Sequence, residues 1–217
     1  MPDEIVRTAL REHPVRVVAV TTTEVTREAA RRHQAGQAAA LALGRGLTAG
    51  LLLATLTKDE ERVSLQVLGD GPLGGLTIDA GSAGAARGYV KHPQVPLPAP
   101  SGADGSRPSL AEVVGRSGLV SVVRDLGLRE NFRGQTALAS GEIDEDVERY
   151  LLESEQIASV LVCDAIVGAD GAVEFAGGIL LQALPGTDGA AIVAAAGEGL
   201  RAGGLLPILA ARPESAD

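Results

Sequence analysis

Aromatic side chains are nearly missing from this 217-residue chain. It holds two Phe, two Tyr and no Trp. Proteins that bind single-stranded nucleic acid stack successive bases on aromatic rings, and this chain has few rings to offer. Its core must consist of Leu, Val, Ile and Ala, because hydrophobic residues still make up 45% of the sequence. That share is ordinary for a globular protein and too high for a disordered one.

Cysteine and an excess of basic residues are also lacking. The single cysteine, Cys163, cannot form an internal disulfide or a thiolate cage for a metal. His13, His33 and His92 lie in separate regions without ligand-like spacing, so we expect no metal site within the chain. Nineteen Lys and Arg against 28 Asp and Glu give a net charge of −9, which repels phosphate backbones and anionic membranes. We therefore expect no nucleic-acid partner and no membrane partner.

The N-terminus does not have the layout of a signal peptide. Met1-Pro2-Asp3-Glu4 is acidic, whereas a signal peptide begins with basic residues followed by an apolar run. Together with the scarcity of cysteine, which suits a reducing compartment, this predicts a cytoplasmic protein.

The longest apolar stretch runs from residue 38 to residue 57, and two interpretations compete. Its length is close to the roughly 20 residues of a membrane span. However, Arg45 lies near the middle, where a charge is costly in lipid. Its many Ala and Gly residues suit a helix that is buried on all sides in a soluble core. We favour a buried apolar helix over about 36–57 and keep the membrane span as the alternative.

The remaining patterns predict an α+β fold. Strands grouped into antiparallel hairpins, with helices before, between and after them, favour α+β over alternating βαβ units. We expect a single domain, residues 1–202, in which a mainly antiparallel sheet packs around the buried helix and surface helices flank it. Residues 203–217 would begin a linker. The proline-rich residues 93–108 would form a long loop. Further helices are predicted at 3–12, 22–33, 143–156 and 188–201, and strands at 15–21, 62–69, 76–78, 86–90, 119–126, 132–139, 159–167 and 172–184.

Residues Gly69–Gly74 match the dinucleotide-binding pattern Gly-x-Gly-x-x-Gly. That pattern binds a pyrophosphate only where it follows a strand and opens a helix. Here Pro72 and a β-type run from Leu76 follow, so we interpret the motif as a turn between two strands. A small-ligand protein or enzyme that uses this loop remains an alternative.

No arrangement of residues typical of an enzyme emerges. Ser154 lacks the Gly-x-Ser-x-Gly elbow of a serine nucleophile, and Cys163 reads as a small buried hydrophobe. The acidic residues Glu142, Asp144–Asp146 and Glu148 coincide with a predicted helix N-terminus. We interpret them as capping and dipole charges on a solvated face, not as a metal or acid–base site.

Four motifs follow one another along the chain: Gly69-Asp70-Gly71-Pro72, Arg87-Gly88-Tyr89-Val90, Ser154-Glu155-Gln156, and Gly177-Gly178 with Gln182, Leu184 and Pro185. Taken in this order, they resemble the N-terminal domain of the 33-kDa heat-shock protein family. The resemblance covers nearly the whole chain, to about residue 212. It implies an α+β domain that dimerises and binds unfolding client proteins through exposed hydrophobic surface, without ATP: a redox-regulated holdase chaperone of the bacterial cytoplasm.

The resemblance also implies a switch that these 217 residues do not contain. Members of the family continue through a linker to a small domain with Cys-x-Cys and Cys-x-x-Cys, whose four thiolates hold zinc while reduced. Oxidation releases the metal and uncovers the client site. We expect the present chain to be the folded body without that switch, with no cofactor of its own and with client binding that does not depend on redox state.

Large exposed apolar patches usually mark binding sites, and two apolar segments are candidates for client contact. The alternative places them in the core or in a dimer interface. A second function also stays open, a structural dimerisation scaffold that is inactive without a C-terminal part. The candidate client-binding residues are Leu119, Val120, Val122, Val123, Leu205, Leu206, Ile208 and Leu209.

Overall fold

The computed structural model describes residues 2–57, 61–97, 107–125, 131–184, 186–203 and 205. Within these ranges the chain forms nine strands and five helices. The strands are β1 (Ile5–Ala9), β2 (Val15–Thr21), β3 (Arg62–Gly69), β4 (Leu76–Gly81), β5 (Ala86–Val90), β6 (Gly118–Asp125), β7 (Phe132–Ala137), β8 (Ser159–Val167) and β9 (Val173–Ala183). The helices are α1 (Thr23–His33), α2 (Gln37–Ala54), α3 (Ala111–Val114), α4 (Ile143–Glu153) and α5 (Ala190–Gly203).

The strands form two sheets on either side of α2. One sheet has the order β1-β2-β9-β8 and the other β5-β4-β3-β6-β7, and every pairing is antiparallel. Helix α2 contacts strands of both sheets. The α+β fold around a buried helix is therefore confirmed, with two sheets where the sequence indicated one.

Helix α2 is buried because its residues are small where the sheets approach. By length and composition it could cross a membrane, yet 94% of it is buried inside the protein. A Cβ added at Gly44 would lie 2.7 Å from Ala165 Cβ in one sheet, and one at Gly46 would lie 2.5 Å from Leu76 Cδ2 in the other. Both sheets thus approach the helix more closely than larger side chains allow, and the prediction of a buried helix is confirmed.

A second, smaller core lies on the outer face of the four-stranded sheet. Because side chains alternate along a strand, β8 and β9 direct one row toward α2 and the other outward. Val160 and Val162 of β8 and Ile179 and Leu181 of β9 pack there with Val193 of α5. Helix α5 therefore covers this sheet from outside.

One local prediction is wrong, and one short helix was missed. Residues 3–12 do not form a helix; residues 5–9 form β1, which pairs with β2 from Ile5↔Val20 to Ala9↔Arg16. Backbone pairing with the neighbouring strand outweighs weak helix propensity in so short a segment. The four-residue helix α3 was not predicted, because one turn gives no periodicity to detect. The rest of the predicted loop, 98–106, lies outside the described residues, as do residues 206–217 of the predicted linker.

Candidate functional site

The five-stranded sheet has one buried face and one face that belongs to neither core cluster. Val63, Leu65 and Val67 of β3 point to α2 and are buried, and Val120 and Val122 of β6 lie opposite them. We call the other side the open face. In the order β5 to β7, its side chains are Arg87, Tyr89, Thr77, Asp79, Ser64, Gln66, Leu68, Leu119, Ser121, Val123, Arg133, Gln135 and Ala137.

Apolar groups on the open face are accessible to a partner. Leu68 is 42% exposed and Tyr89 is 51% exposed. Leu119 lies directly opposite Leu68 and is half-buried, and so is Val123. None of these four side chains is part of the core clusters. They form an apolar component of a face that also carries polar side chains.

The polar component is tied down by local contacts. Arg133 Nε donates to Ser121 Oγ at 3.3 Å, so the arginine stem lies across the middle of the face and buries Ser121. Arg87 Nε donates to Asp79 Oδ2 at 3.1 Å between β5 and β4. The open face therefore carries exposed apolar side chains together with charged side chains of both signs.

Four of the eight predicted client-binding residues are in β6, where successive side chains point to opposite faces of the sheet. Leu119 and Val123 lie on the open face, whereas Val120 and Val122 are in the core between β6 and α2. Leu205 is buried in the cluster beneath α5, and the positions of Leu206, Ile208 and Leu209 lie outside the described residues. Sequence reasoning missed Leu68 and Tyr89. Period-2 alternation with Ser64 and Gln66 could have placed Leu68 on this face.

A buried ion-pair network connects α2 with the start of α4 and with β8 of the four-stranded sheet. Arg45 is 0% exposed and donates to Glu142 Oε2 at 2.8 Å and to the carbonyl of Pro108 at 2.7 Å. Asp164 of β8 lies 3.7 Å from the same guanidinium. Burial, opposed by these carboxylates, lowers the pKa of Arg45. Its Nε finds no partner among the described residues.

Arg107 completes the network from the other side. Its guanidinium donates to both carboxylate oxygens of Asp144, at 2.7 and 3.0 Å, and to the carbonyl of Cys163 at 2.8 Å. Asp144 also accepts from the Cys163 backbone N–H at 3.2 Å. Two arginines therefore neutralise most of the negative charge of Glu142, Asp144 and Asp164. The network joins residues 107–108, α2, α4 and β8.

The prediction that the acidic residues around 144 lie on a solvated face is wrong for two of them. Asp144 and Asp146 are almost fully buried. Asp146 accepts from the backbone N–H groups of Ala139, Ser140 and Gly141 at 2.8–3.1 Å. Both carboxylates therefore bind backbone groups of the segments next to α4. In the described ranges, no group of three or more His, Cys, Asp or Glu side chains could hold a metal ion.

The Gly69–Pro72 motif is a docking turn that leads from β3 into β4. Asp70 Oδ1 accepts from the Ser117 N–H at 3.1 Å, and Gly71 N–H donates to the Val114 carbonyl at 3.0 Å. A Cβ at Gly69 would lie 2.0 Å from that carbonyl oxygen. The glycines thus let two backbones touch, and the motif opens no helix that could bind a pyrophosphate.

The Ser154–Gln156 motif joins the end of α4 to the five-stranded sheet. Glu155 Oε1 accepts from Arg124 of β6 at 2.6 Å and from the Tyr150 hydroxyl at 3.0 Å. Burial of the ring raises the pKa of Tyr150 to about 12, and the neighbouring Glu155 carboxylate adds to that effect. Ser154 packs where Gly134 of β7 leaves room, because a Cβ there would lie 2.5 Å from Ser154 Oγ.

Most of the other motif residues lie in strands, and Leu184 directly follows β9. Arg87 and Gly88 are in β5, and Gly177 and Gly178 are in β9 opposite β8. Gln182 is buried at the end of β9 and donates to Ser159 Oγ at 3.3 Å. Pro185 is outside the described residues. The motif residues that the structure describes therefore form contacts between strands and between α4 and the five-stranded sheet.

Comparison with known proteins agrees with this architecture. The family model described as Hsp33 protein matches residues 3–205. The chain belongs to the Hsp33 family. Two curated relatives, both named 33 kDa chaperonin, are the protein of Gloeobacter violaceus, 48% identical over 87% of this chain, and that of Synechocystis sp., 46% identical over 85% of it. The crystal structure of the 33 kDa chaperonin (heat shock protein 33 homolog) from Thermotoga maritima matches with a TM-score of 0.75 and 37% identity over 83% of this chain.

The chain spans about three fifths of these Hsp33 proteins. The matches cover 61% of the Gloeobacter protein, 60% of the Synechocystis protein and 60% of the Thermotoga chain. The resemblance inferred from the four motifs is thereby confirmed at the level of the family. The relatives are named as chaperones, and the family is not a class of enzymes.

Proposed function

We propose that this chain is an ATP-independent holdase, which binds proteins as they unfold under heat or oxidative stress and prevents their aggregation. The observation that carries the proposal is the open face, where Leu68, Tyr89, Leu119 and Val123 remain outside both core clusters. An unfolding client exposes apolar side chains, and their burial against such a face supplies the favourable free energy. Holding requires no catalytic residues and no nucleotide.

Any effect of redox state on these 217 residues would have to act through their single cysteine. Cys163 is the sole cysteine in the sequence, it is fully buried, and burial raises the pKa of its thiol well above the usual value. A protonated, inaccessible thiol reacts slowly with oxidants. We therefore propose that these 217 residues bind clients equally in reducing and oxidising conditions.

The proposed setting is a homodimer in the cytoplasm. The net charge of −9 favours solubility and disfavours nucleic acid as a competitor for the open face. Size-exclusion chromatography with light scattering tests the dimer, since a monomeric mass across the working concentration range would contradict it.

Substitutions on the open face test the proposed client site. Leu68→Ser and Leu119→Ser should raise the amount of chain needed to halve light scattering of a thermally unfolding client by about tenfold, because burial of a Leu side chain is worth about 1.5–3 kcal/mol. The matched control is Leu152→Ser, since Leu152 is 58% exposed on α4 and away from the open face. Equal suppression by all three variants would place the client site elsewhere.

A further inference from the structure

Strand β5 ends the five-stranded sheet, and its pairing with β4 leaves one row of its backbone groups facing outward. Two hydrogen bonds fix the phase of that pairing: Gly81 N–H donates to the Ala85 carbonyl at 2.8 Å, and Lys91 N–H donates to the Gly75 carbonyl at 3.0 Å. Hydrogen-bonded and non-hydrogen-bonded pairs alternate along antiparallel strands. Residues between these two points therefore alternate in the direction of their backbone groups.

The alternation assigns Ala86 and Gly88 to the outward row. Arg87 faces Asp79 and Tyr89 faces Thr77 as hydrogen-bonded pairs. Ala86 and Gly88 thus turn their N–H and C=O groups away from the sheet. No hydrogen bond joins these four groups to another residue in the part of the chain that the structure describes.

A groove runs along this edge with α1 on its other side. Its volume is about 570 Å³, and it is lined by β5 residues together with Val25, Ala29 and Arg32 of α1. These three positions are spaced by three or four residues, so they share one face of the helix. Ala86 and Gly88 have small side chains or none, which leaves the backbone of β5 accessible from the groove.

The edge of β8 in the other sheet is closed by contrast. Glu148 Oε2 accepts from the Leu161 N–H at 2.9 Å, and Asp144 and Arg107 satisfy the N–H and C=O of Cys163. Proteins commonly protect edge strands in this way, because an unprotected edge pairs with other chains. The protein thus closes one edge with charged side chains and leaves the edge of β5 available.

We propose that an extended segment of an unfolded client adds to β5 as a further strand, in the groove beside α1. This inference rests on the proposed holdase function and names how a client is recognised. Backbone groups of Ala86 and Gly88 would form up to four hydrogen bonds with the segment, and these are independent of its sequence. Alternate side chains of the segment would lie against the partly buried Val25 on the helix side of the groove, which favours clients with apolar residues at every second position.

The charges at the groove support a broad range of such segments. Glu28 and Arg32 of α1 form an ion pair, as do Asp79 and Arg87 across β4 and β5. Each rim of the groove therefore carries both signs, so neither acidic nor basic clients are repelled as a class.

Amide hydrogen exchange on the full chain tests strand addition directly. The probe is a synthetic peptide of about seven residues with alternating Val and Thr and a Lys at each end, a typical strand length. We expect saturating peptide to slow exchange at Ala86 and Gly88 at least about tenfold, while Arg87 and Tyr89 are already protected by β4. An analogue N-methylated at every residue keeps the side chains, but it cannot donate to the Ala86 and Gly88 carbonyls and its methyl groups block close pairing with β5. It should therefore give no such protection.

A pair of proline variants gives a second readout. Ala86→Pro removes an outward N–H and leaves the ladder to β4 intact, and it should weaken peptide binding about fivefold or more. Ala190→Pro is the matched control, because Ala190 is exposed at the first position of α5, where proline is tolerated.

The outcomes separate the inference from the proposed function. If the chain suppresses client aggregation while Ala86 and Gly88 stay unprotected, or while the methylated peptide binds equally well, strand addition is wrong and the holdase function stands. Protection of both amides in the chain alone, rising with its concentration, would assign the edge to a second copy and also overturn the inference. If neither client nor peptide binds, both proposals fail.

Discussion

Removal of the Arg45 guanidinium tests whether the buried network holds α2, α4 and β8 together. In Arg45→Met, the apolar stem is largely retained, while Glu142 and Asp164 lose their buried counter-charge. The Pro108 carbonyl also loses its donor. Carboxylates near the core would then have to find water or take up protons at a cost in stability.

The expected magnitude follows from the burial of the pair. Breaking a buried ion pair by removing one partner costs about 3–5 kcal/mol, because the remaining charge is uncompensated. For a domain of this size, each kcal/mol lowers Tm by about 2–4 °C, so Arg45→Met should unfold about 6–20 °C below the parent chain. A partial rise of stability toward lower pH is expected, because protonation neutralises the orphaned carboxylates.

Calorimetry and urea unfolding measure this effect, with Arg149→Met as the matched control. Arg149 pairs with Glu153 on the exposed surface of α4, where an ion pair contributes about 0–1 kcal/mol. If Arg45→Met and Arg149→Met lower stability by the same small amount, Arg45 does not stabilise the fold as described.

Three further predictions concern single side chains. Gly69→Ala should lower the free energy of unfolding, measured in urea, by about 1–3 kcal/mol, because its Cβ meets the Val114 carbonyl oxygen. Gly199→Ala, in open space on α5, should be neutral or stabilising. Similar values for both variants would contradict the docking turn. Above pH 10 an unfolded tyrosine ionises, whereas the raised pKa of Tyr150 keeps the folded side chain protonated to about pH 12. The free energy of unfolding should therefore fall by up to about 2–3 kcal/mol over that interval, and by less in Tyr150→Phe. The same pH dependence of stability in both proteins would contradict this prediction. Asp3→Ala removes the carboxylate that accepts from the Glu24 and Val25 N–H groups at the start of α1, so it should lower the free energy of unfolding by about 1 kcal/mol. Urea unfolding measures this loss, with the surface variant Glu12→Ala as the control. Equal stability of the two variants would refute the prediction.

Much of the fold follows from local sequence patterns. The β-branched run at Val15–Thr21 and the alternation in Arg62–Gly69 predict the strands that form. The small and apolar residues of 38–57 predict a helix buried on all sides, and Arg45 argues correctly against a membrane span. These signals succeed because each is contained within one element.

The remainder depends on partners that are distant in the chain. Arg45 binds Glu142, 97 residues away, and nothing near Arg45 in the sequence indicates that partner. The split of Leu119–Val123 between core and open face could be anticipated as an alternation, but which row faces α2 is decided by pairing with β3. The open edge of β5 likewise follows from hydrogen-bond phase, which residue types do not encode.

The central claim is that this chain itself holds unfolding clients through its own surface. Light scattering of a thermally unfolding client, in the presence of this chain and in dithiothreitol or peroxide, tests it most directly. We predict concentration-dependent suppression of aggregation that is equal in both buffers. Suppression in neither buffer, or in peroxide alone, would contradict the claim.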